Sequence, residues 1–412
     1  MQPIRTLAVF LAFSIACLLS HIKPVLAQPT TSPLIQQSGL VYLGAFKLPP
    51  WTSDATSFSY GGTALGYNPA RNSLFLVGHD QYQRTAEVAI PPLVQSTSLN
   101  ALGTATFLQP FTDVTEGKLP SINPSDPNAK KIGGHLVYNG QLYVSGYSYY
   151  DGAGTQVLSH FVRPVSWTPT GQVQGPYQIG TLGAGFVSGY MTPIPPEWQS
   201  TFGGPALTGN CCLPIISRTS YGPAAFVFDP AALGHTTPVP DTPLVYYPSS
   251  HPTIGTWGGS WNPSGGIFWD GSTVIRGLVF PSHSRSVLFF GTQGVGGFCY
   301  GQGTSDPTLA GQPVPGSSGV IYCYDPDNPY KGTHGYPYVA MVWAYDATDL
   351  LAVKQGQKQP WDVKPYATWT LPLPFTSPQI GGAAYDPATG KVYVSQQFGN
   401  GTDPVIQVFQ AP

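Results

Sequence analysis

Aromatic, amide and charged side chains are concentrated in segments that follow short apolar runs of the chain. Residues 79–84 read HDQYQR and residues 147–151 read YSYYD. Aromatic rings stack on the apolar faces of sugars, while amides and carboxylates hydrogen-bond hydroxyl groups. The mixture predicts a site for a neutral, polyhydroxylated ligand such as a glycan. Packing of aromatic loops is the competing interpretation, because the chain has 24 Tyr and 9 Trp.

The candidate ligand-binding residues come from these two segments, from comparable loops later in the chain and from nearby strand starts. They are His79, Asp80, Tyr82, Arg84, His135, Tyr147, Tyr149, Asp151, Arg218, Tyr221, Trp269, Arg276, Gln293, Gln396 and Asn400. A second set of loops, expected on the same face around a central channel, adds the aromatic residues Trp51, Tyr60, Trp257 and Trp261.

A polysaccharide-cleaving enzyme is the alternative function. Glycoside hydrolysis requires two positioned carboxyl groups. The chain has three glutamates, and only Glu116 falls in a loop expected near the other candidates, where Asp80, Asp151 or Asp270 would be its partner. A lyase would instead need a base and a cation that neutralises a uronate, for which His79, His135, Tyr60 and Arg276 are available. A protein-binding scaffold is a third possibility.

Motifs for cofactors and metals give no positive prediction. The sequence has no P-loop, no dinucleotide-binding fingerprint and no nucleophile-elbow motif. Residues 325–328 resemble part of a calcium loop, but the later ligands are missing, which favours a tight turn. Residues 400–402 form a glycosylation sequon, and their Asn-Gly pair favours a hairpin turn. We therefore expect neither a cofactor nor a metal.

The N-terminus predicts export. Arg5 supplies a positive start, residues 7–19 are apolar, and residues 25–27 end in alanine before Gln28. These features are typical of a signal peptide over residues 1–27, and a run of about 13 apolar residues is too short to span a membrane. A lipid anchor on Cys17 is a weaker alternative. The mature chain, residues 28–412, is expected to be secreted or periplasmic and monomeric.

Four cysteines remain after removal of Cys17: Cys211, Cys212, Cys299 and Cys323. An even number in an oxidising compartment predicts disulfides, and the spacings typical of zinc sites are absent. Either Cys211 pairs with Cys212 and Cys299 with Cys323, or both members of the adjacent pair bridge to the distant cysteines. Bonding of adjacent cysteines would close a strained ring, so the sequence leaves both arrangements open.

A repeat positions the candidate residues. Short apolar runs that end in a small residue begin at residues 74, 142, 213, 287 and 392, spaced by 68, 71, 74 and 105. Most follow a glycine-led strand, at residues 61–67, 133–138, 183–190, 276–280 and 381–385. A third run ends at proline in most repeats and a fourth strand follows. The last repeat lacks its fourth strand, which residues 43–49 at the N-terminus would supply.

Repeats of this length with four strands each predict an all-β fold, a β-propeller of five four-stranded antiparallel blades. Six or seven blades are possible if residues 296–366, interpreted as an insertion in the fourth blade, hide another one. A β-sandwich is the alternative fold. The double glycines fit a crowded centre where a Cβ would clash. Helix is predicted only over residues 346–354.

Two stretches carry a family resemblance. Residues 61–69 with 74–80 resemble segments of exported bacterial β-propeller-like proteins of unassigned function, and so do residues 331–375, which include WAYD at 343–346 and PWDVKPY at 360–366. The resemblance covers most of the mature chain and includes no catalytic motif. It implies the fold and the compartment and adds nothing about activity.

Composition excludes two further classes. The chain has 412 residues, of which 9% are charged, and its net charge is −2. A polycationic nucleic-acid binder is therefore excluded. Hydrophobic residues make up 42% of the chain, which is too apolar for a disordered protein. The expected partner is an extracellular glycan or another small polar ligand, with no membrane span.

Overall fold

The computed structural model describes residues 29–50 and 52–412. The predicted signal peptide, Cys17 within it and the loop residue Trp51 lie outside the described residues. The regular structure of the described part of the chain is mostly β-strand, and all but three of its strands belong to four-stranded groups. Strand β1 (Val41–Lys47) precedes these groups in the chain and pairs with the last of them.

Three groups are separate four-stranded antiparallel sheets. Group one contains β2 (Thr63–Asn68), β3 (Ser73–Val77), β4 (Thr85–Ala89) and β5 (Phe107–Thr112). Group two contains β6 (Lys130–Tyr138), β7 (Gln141–Ser148), β8 (His160–Pro164) and β9 (Gln174–Tyr177). Group three contains β10 (Met191–Pro193), β11 (Ala206–Thr208), β12 (Ala225–Phe228) and β13 (Asp241–Val245).

Two further groups form one large eight-stranded sheet. Group four contains β14 (Val274–Val279), β15 (Ser286–Gly294), β19 (Tyr338–Asp346) and β20 (Ala367–Thr370). Group five contains β21 (Ile380–Asp386), β22 (Lys391–Asn400), β23 (Asp403–Gln410) and β1. A parallel contact of β14 with β21, at Gly277 and Ala383, joins the two groups.

The N-terminal strand completes group five. Phe46 pairs with Ile406 and Ala45 pairs with Gln407, both in antiparallel register. The chain therefore has an early segment beside a late one, as the unpaired strand at residues 43–49 predicts. The side chain of Phe46 is buried between groups five and one.

The apolar runs of the sequence are buried on both faces. Side chains alternate along a strand, so neighbouring residues point to opposite faces of the sheet. Leu74 and Leu76 pack with Tyr393 of group five, whereas Phe75 and Val77 pack toward group two. Equivalent apolar layers lie between groups two and three, three and four, and four and five. This explains why the strands read as continuous apolar runs.

The first strands of the groups lie next to one another. Strand β2 contacts β6, β6 contacts β10, β10 contacts β14, β14 contacts β21, and β21 contacts β2. Glycines permit this approach. A Cβ on Gly134 would lie 2.4 Å from the carbonyl oxygen of Gly189, and one on Gly381 would lie 2.1 Å from that of Gly62. The packing interpretation of these glycines is supported at both positions.

Group three and the insertion differ from the sequence prediction. Residues 183–190 and 213–217 were expected to be strands, but β10 and β11 are three-residue strands elsewhere. In group four the third strand is β19, whereas the sequence repeat places the third run at residues 322–326, next to Cys323. That run instead belongs to a small extra sheet of β16 (Cys299–Thr304), β17 (Tyr322–Tyr324) and β18 (Lys331–His334). The insertion therefore lies between β15 and β19.

Two α-helices occur among the described residues. Helix α2 (Ala347–Lys354) is the predicted one, and the carboxylate of Asp346 accepts a hydrogen bond from the Thr348 amide at its N-terminus. Helix α1 (Pro196–Phe202), between β10 and β11, was not predicted. Short 3-10 helices cover Pro29–Thr31, Gln37–Gly39, Asp54–Thr56, Leu99–Ala101, Leu119–Ile122, Ala184–Phe186, Ile216–Arg218, Pro230–Ala232, Pro263–Gly265, Pro307–Leu309 and Pro360–Asp362.

Two predicted turns are present. The carboxylate of Asp325 accepts hydrogen bonds from the amides of Asp327 and Asn328, both at 3.1 Å. Asn400 ends β22 and pairs with Asp403, with Gly401 at a positive φ of 66° between them. In the part of the chain that the structure describes, no helix is long and apolar enough to cross a bilayer.

Candidate functional site

A cavity of about 710 Å³ opens where the first strands of all five groups begin. Its wall includes Thr63 of group one, Lys131 of group two, Tyr190 just before group three, Arg276 of group four and Gly381 of group five. Because the five first strands contact each other, their N-terminal ends surround a common opening. We call this cavity the central pocket.

Aromatic side chains form much of the wall of the central pocket. They are Tyr147, Tyr149, Tyr150, Tyr190, Trp257, Trp269 and Tyr300. Trp257 is half-buried and meets the ring of Phe298 edge-on, with 4.9 Å between the ring centres, and that of Tyr300 at 5.3 Å. Tyr149 and Tyr300 are about half exposed, so their faces remain open to solvent.

The charged groups of the wall are mainly cations. Lys131, Arg276 and Lys331 line the central pocket, and among its described lining residues Asp80 is the only carboxylate. Lys131 donates to the Asp80 carboxylate at 2.6 Å and to its backbone carbonyl at 2.8 Å. Asp80 is thereby matched to one lysine of the neighbouring group.

An amide holds the Arg276 side chain. The Nη1 of Arg276 donates to the Oε1 of Gln397 at 2.9 Å. Gln397 is buried, and its Nε2 donates to the carbonyl of Gly61 at 2.8 Å, which fixes the orientation of the amide. Groups one, four and five therefore meet at this arginine, and Gln397 positions it.

Burial changes the acidity of Tyr147. Removal of its hydroxyl from water raises the pKa of Tyr147, and Asp80 acts in the same direction. The Arg276 guanidinium opposes part of this rise, since it favours the phenolate. The phenol is therefore protonated at neutral pH and can both donate and accept a hydrogen bond.

The cysteines form two bridges. Cys211 bonds to Cys212, and this adjacent pair lines the central pocket. Cys299 bonds to Cys323 and ties β16 to β17 in the insertion. The alternative in which the adjacent pair bridges to Cys299 and Cys323 is thus not the one adopted.

Five predicted site residues line the central pocket: Asp80, Tyr147, Tyr149, Trp269 and Arg276. Asp151 and Arg218 line a separate, smaller cavity of about 280 Å³. The carboxylate of Asp151 accepts hydrogen bonds from the backbone amides of the loop that follows it. The Arg218 guanidinium donates to the backbone carbonyls of Ser148 and Tyr149. These two residues therefore support the loop that carries the pocket aromatics.

A second aromatic cluster contains two other predicted residues. The His79 ring lies between Tyr60 and Tyr82, with ring centres 5.6 and 5.3 Å away, and Tyr60 also meets Phe398. Tyr60 and Tyr82 are about half exposed. Arg84 is also exposed, and the structure does not bring it to the central pocket.

The remaining predicted residues are held inside the protein or in a turn. His135 is buried between Ala64 and Thr85. Gln293 is buried and donates to Asp270, which sits behind the pocket wall. Tyr221 packs behind Trp269, with 4.8 Å between the ring centres, and Asn400 is in the hairpin turn.

Gln396 was predicted to bind the ligand, but it does not line the central pocket. It is buried and donates to the carbonyls of Phe375 and Ser377, and it accepts from Gln407. It faces away from its neighbour Gln397, because successive side chains of β22 point to opposite faces. The residue next to the predicted one therefore reaches Arg276.

The sequence did not identify several residues that line the central pocket, notably Gln83, Lys131, Asn210 and Lys331. It also did not predict that the cysteines Cys211 and Cys212 form part of the pocket wall. Lys131 stands two residues before the double glycine of β6. The signal that would have found it is position: residues at the start of each first strand face the opening.

The other carboxylates lie elsewhere. Glu87 is fully buried within group one, Glu116 faces Arg163, and Glu197 accepts from the amide of His283. Burial raises the pKa of Asp270, whose carboxylate accepts from Ser272. In the residues that the structure describes, no cluster of three or more His, Cys, Asp or Glu is arranged to hold a metal.

No protein-family model and no curated protein sequence matches the chain. Among solved structures, it is similar to a luciferin-regenerating enzyme, at 9% identity and a TM-score of 0.35, covering 90% of this chain and 94% of that one. It is also similar to a candidate glycoside hydrolase from Parabacteroides distasonis, at 11% identity and a TM-score of 0.35, covering 92% of this chain and 96% of that one. A third similar structure is a hydrazine synthase from Kuenenia stuttgartiensis, at 12% identity and a TM-score of 0.33, covering 86% of this chain and 97% of that one. Likenesses this distant do not identify a function.

Proposed function

We propose that this chain is an exported five-bladed β-propeller that binds a glycan, or another small polyhydroxylated ligand, in the central pocket. The fold is supported by the cyclic contacts of the five first strands and by the apolar layer between each pair of successive groups. Neighbouring blades that bury each other's faces are typical of propellers.

The single observation that carries the binding function is the composition of the pocket wall. Seven aromatic side chains surround a cavity of about 710 Å³ together with amides, hydroxyls and a few charges. A volume in this range suits a ligand of one to a few sugar rings. The rings of Trp257 and Tyr300 line the cavity and can stack on a sugar, while the half-exposed phenols of Tyr149 and Tyr150 can hydrogen-bond hydroxyls.

Export and a monomeric state belong to the same proposal. Two disulfides are typical of an oxidising compartment, which agrees with a signal peptide over residues 1–27 and a secreted or periplasmic mature chain. A protein-binding scaffold would instead present a broad apolar patch. The depth and the mixed polarity of the central pocket favour a small ligand over a flat partner surface.

A glycan array with the folded mature protein tests the binding function, and the ligands found there define the titrations. We expect Trp257→Ala to weaken the affinity for such a ligand about tenfold, because one stacking face is lost, worth roughly 1.4 kcal/mol. Trp361→Ala is the matched control. It removes a partly buried indole that stacks on His251, with 4.3 Å between the ring centres, outside the pocket wall.

Two results would count against this function. An array without signal from protein of native circular dichroism removes the glycan ligand. Equal weakening by the Trp257 and Trp361 variants means that binding depends on general stability and not on the pocket face.

A polysaccharide lyase is a second candidate because Tyr147 and Arg276 share the pocket and interact electrostatically. In such an elimination a base removes the proton beside a uronate carboxylate, the C4–O bond breaks and the leaving oxygen takes a proton. In the described wall the Asp80 carboxylate would be that base. A protonated Tyr147 suits the donor and Arg276 suits the carboxylate. Ultraviolet absorbance of an unsaturated uronate product would support a lyase, and intact substrate after prolonged incubation would contradict it. The hydrolase alternative has only Asp80 in the described wall.

A further inference from the structure

We propose that the ligand of the central pocket is an acidic saccharide and that Arg276 binds its carboxylate. This inference rests on the proposed binding function and specifies its ligand class. It differs from the neutral ligand that the aromatic and amide-rich loops predict from the sequence. The difference comes from residues that the sequence did not identify, above all Lys131, Lys331 and Gln397.

The charge balance of the pocket is opposite to that of the chain. The whole chain has a net charge of −2. The described lining of the central pocket holds three cations, Lys131, Arg276 and Lys331, against the single carboxylate of Asp80. A cleft lined by one sign of charge raises the local concentration of ligands of the opposite sign. An anion is therefore the charged ligand that this pocket favours.

The lone carboxylate is already used. Asp80 pairs with Lys131 at 2.6 Å, across the boundary between groups one and two. Among the ion pairs of the described residues, none involves Arg276 or Lys331. Two cations thus face the same cavity without a carboxylate partner of their own.

Arg276 is held ready for a ligand. Its Nη1 is fixed by Gln397, whose own amide is fixed by the Gly61 carbonyl. The guanidinium has five N–H donors in a planar fork, and the contact with Gln397 uses one of them. A carboxylate matches the remaining donors in a two-point contact. Because the side chain is already oriented, little conformational entropy is lost when the ligand binds.

The neighbouring phenol completes the site. Tyr147 interacts with Arg276 electrostatically and is neutral at physiological pH, because burial raises its pKa. A neutral phenol can donate a hydrogen bond to a second carboxylate oxygen or to a ring hydroxyl without adding charge. Trp257 and Tyr300 then supply stacking faces on the insertion side of the same cavity.

Matched acidic and neutral probes test the inference. Oligogalacturonate, oligomannuronate and oligoglucuronate are each compared by calorimetry with their methyl esters, which keep the sugar and remove the negative charge. We expect at least one acidic probe to bind at least tenfold more tightly than its ester, and this preference to shrink as salt increases. Arg276→Gln should weaken the acidic probe tenfold or more and leave binding of the ester nearly unchanged.

Two variants separate this role from a loss of structure. Gln397→Glu keeps the Arg276 side chain and gives it a carboxylate, so it should reduce the preference for the acidic probe about tenfold. Lys364→Gln is the control, since Lys364 is exposed and lies outside the pocket wall. This substitution removes one positive charge, as Arg276→Gln does. Equal effects of Arg276→Gln and Lys364→Gln would show nonspecific attraction and overturn the inference.

The outcomes distinguish the inference from the proposed function. Binding of neutral glycans together with acid-to-ester ratios near one overturns the acidic ligand and leaves glycan binding standing. Absence of binding to every acidic and neutral saccharide by folded protein removes both. An acidic preference that survives Arg276→Gln and Gln397→Glu overturns the assignment of Arg276.

Discussion

Replacing Glu87 by alanine should lower the free energy of unfolding by about 3–5 kcal/mol. Glu87 lies on β4, and its side chain is fully buried. Its carboxylate accepts from Asn68 at 2.8 Å, Ser73 at 2.5 Å, Arg71 at 2.9 Å and Gln109 at 2.8 Å. The variant removes this acceptor from three buried donors, Asn68, Ser73 and Gln109, and unsatisfied buried donors are strongly destabilising.

Denaturant unfolding followed by tryptophan fluorescence measures this change. Arg71→Ala is the matched control, since it removes the one charged partner, whose side chain is 42% exposed. Because the buried carboxylate keeps its neutral donors Asn68, Ser73 and Gln109 in that variant, the loss of stability should be smaller than in Glu87→Ala. Glu87→Gln should fall between the two, because it keeps the shape and loses the charge. Unfolding midpoints of Glu87→Ala and Arg71→Ala that coincide would contradict the importance of the carboxylate.

The strands were predictable wherever both faces of a sheet are buried. A run such as residues 74–77 is apolar at every position because odd and even side chains pack on different neighbouring groups. The early strand near Phe46 was recognisable for a different reason, because the last repeat lacks a fourth strand and residues 43–49 can supply it. Sequence could locate Glu87 in a strand but could not show that polar side chains from β2, β3 and β5 converge on it.

Group three was not predictable by the same rule. Strands β10 and β11 have three residues each, so neither gives a pattern long enough to recognise. The chain between them forms α1, whose signals were present: prolines at residues 195 and 196 and a left-handed Gly203 at the end. Trp198 and Phe202 bury this helix against group four. A tertiary contact thus stabilises a helix in a segment that the repeat placed in the connection between two strands.

The sequence could predict where in the fold a pocket forms, but it could not predict which residues line that pocket. The end of the fold where loops collect was identified, and five candidates do line the cavity. Which side chain of a pair faces inward depends on strand register, as Gln396 and Gln397 show. Lys331 reaches the wall only because the insertion folds back over the opening, and no local pattern reports such a contact.

Acid should destabilise this protein between about pH 6.5 and 4, before most carboxylates are protonated. Burial lowers the pKa of His135 to about 4 and that of His160 to about 3, from an ordinary 6.5. The unfolded chain therefore binds more protons than the folded one throughout this range. The stabilising contribution of the two neutral histidines is fully present above pH 6.5. Below that pH the free energy of unfolding falls by about 1.4 kcal/mol per pH unit for each histidine.

Both histidines connect neighbouring groups. His135 on β6 reaches back to group one, where it donates to the Ala64 carbonyl and meets the Thr85 hydroxyl at 3.0 Å. His160 on β8 meets the hydroxyl of Thr208 in group three at 3.2 Å. Each ring nitrogen already has a partner, and the rings are buried, so a positive charge there is not solvated. Protonation should loosen the contacts between groups one, two and three.

Other titrating groups act at lower pH or in the opposite direction. Hydrogen bonds lower the pKa of Asp126, to about 2, and also lower that of Asp151. The contribution of these two carboxylates to the stability of the fold is therefore lost only in stronger acid. Burial raises the pKa of Asp241 and Asp270, and their protonation as the pH falls offsets part of the loss. A separate test of the histidines is therefore needed.

Urea unfolding at several pH values provides that test, with the His135→Gln and His160→Gln double variant beside the wild type. Glutamine keeps a donor and an acceptor but does not titrate, so the variant should be less stable at pH 7 and nearly flat between pH 6.5 and 4.5. His235→Gln is the control, since His235 is exposed, and it should retain the full slope. A double variant with the wild-type slope would assign the acid sensitivity to the carboxylates and refute the role of the buried rings.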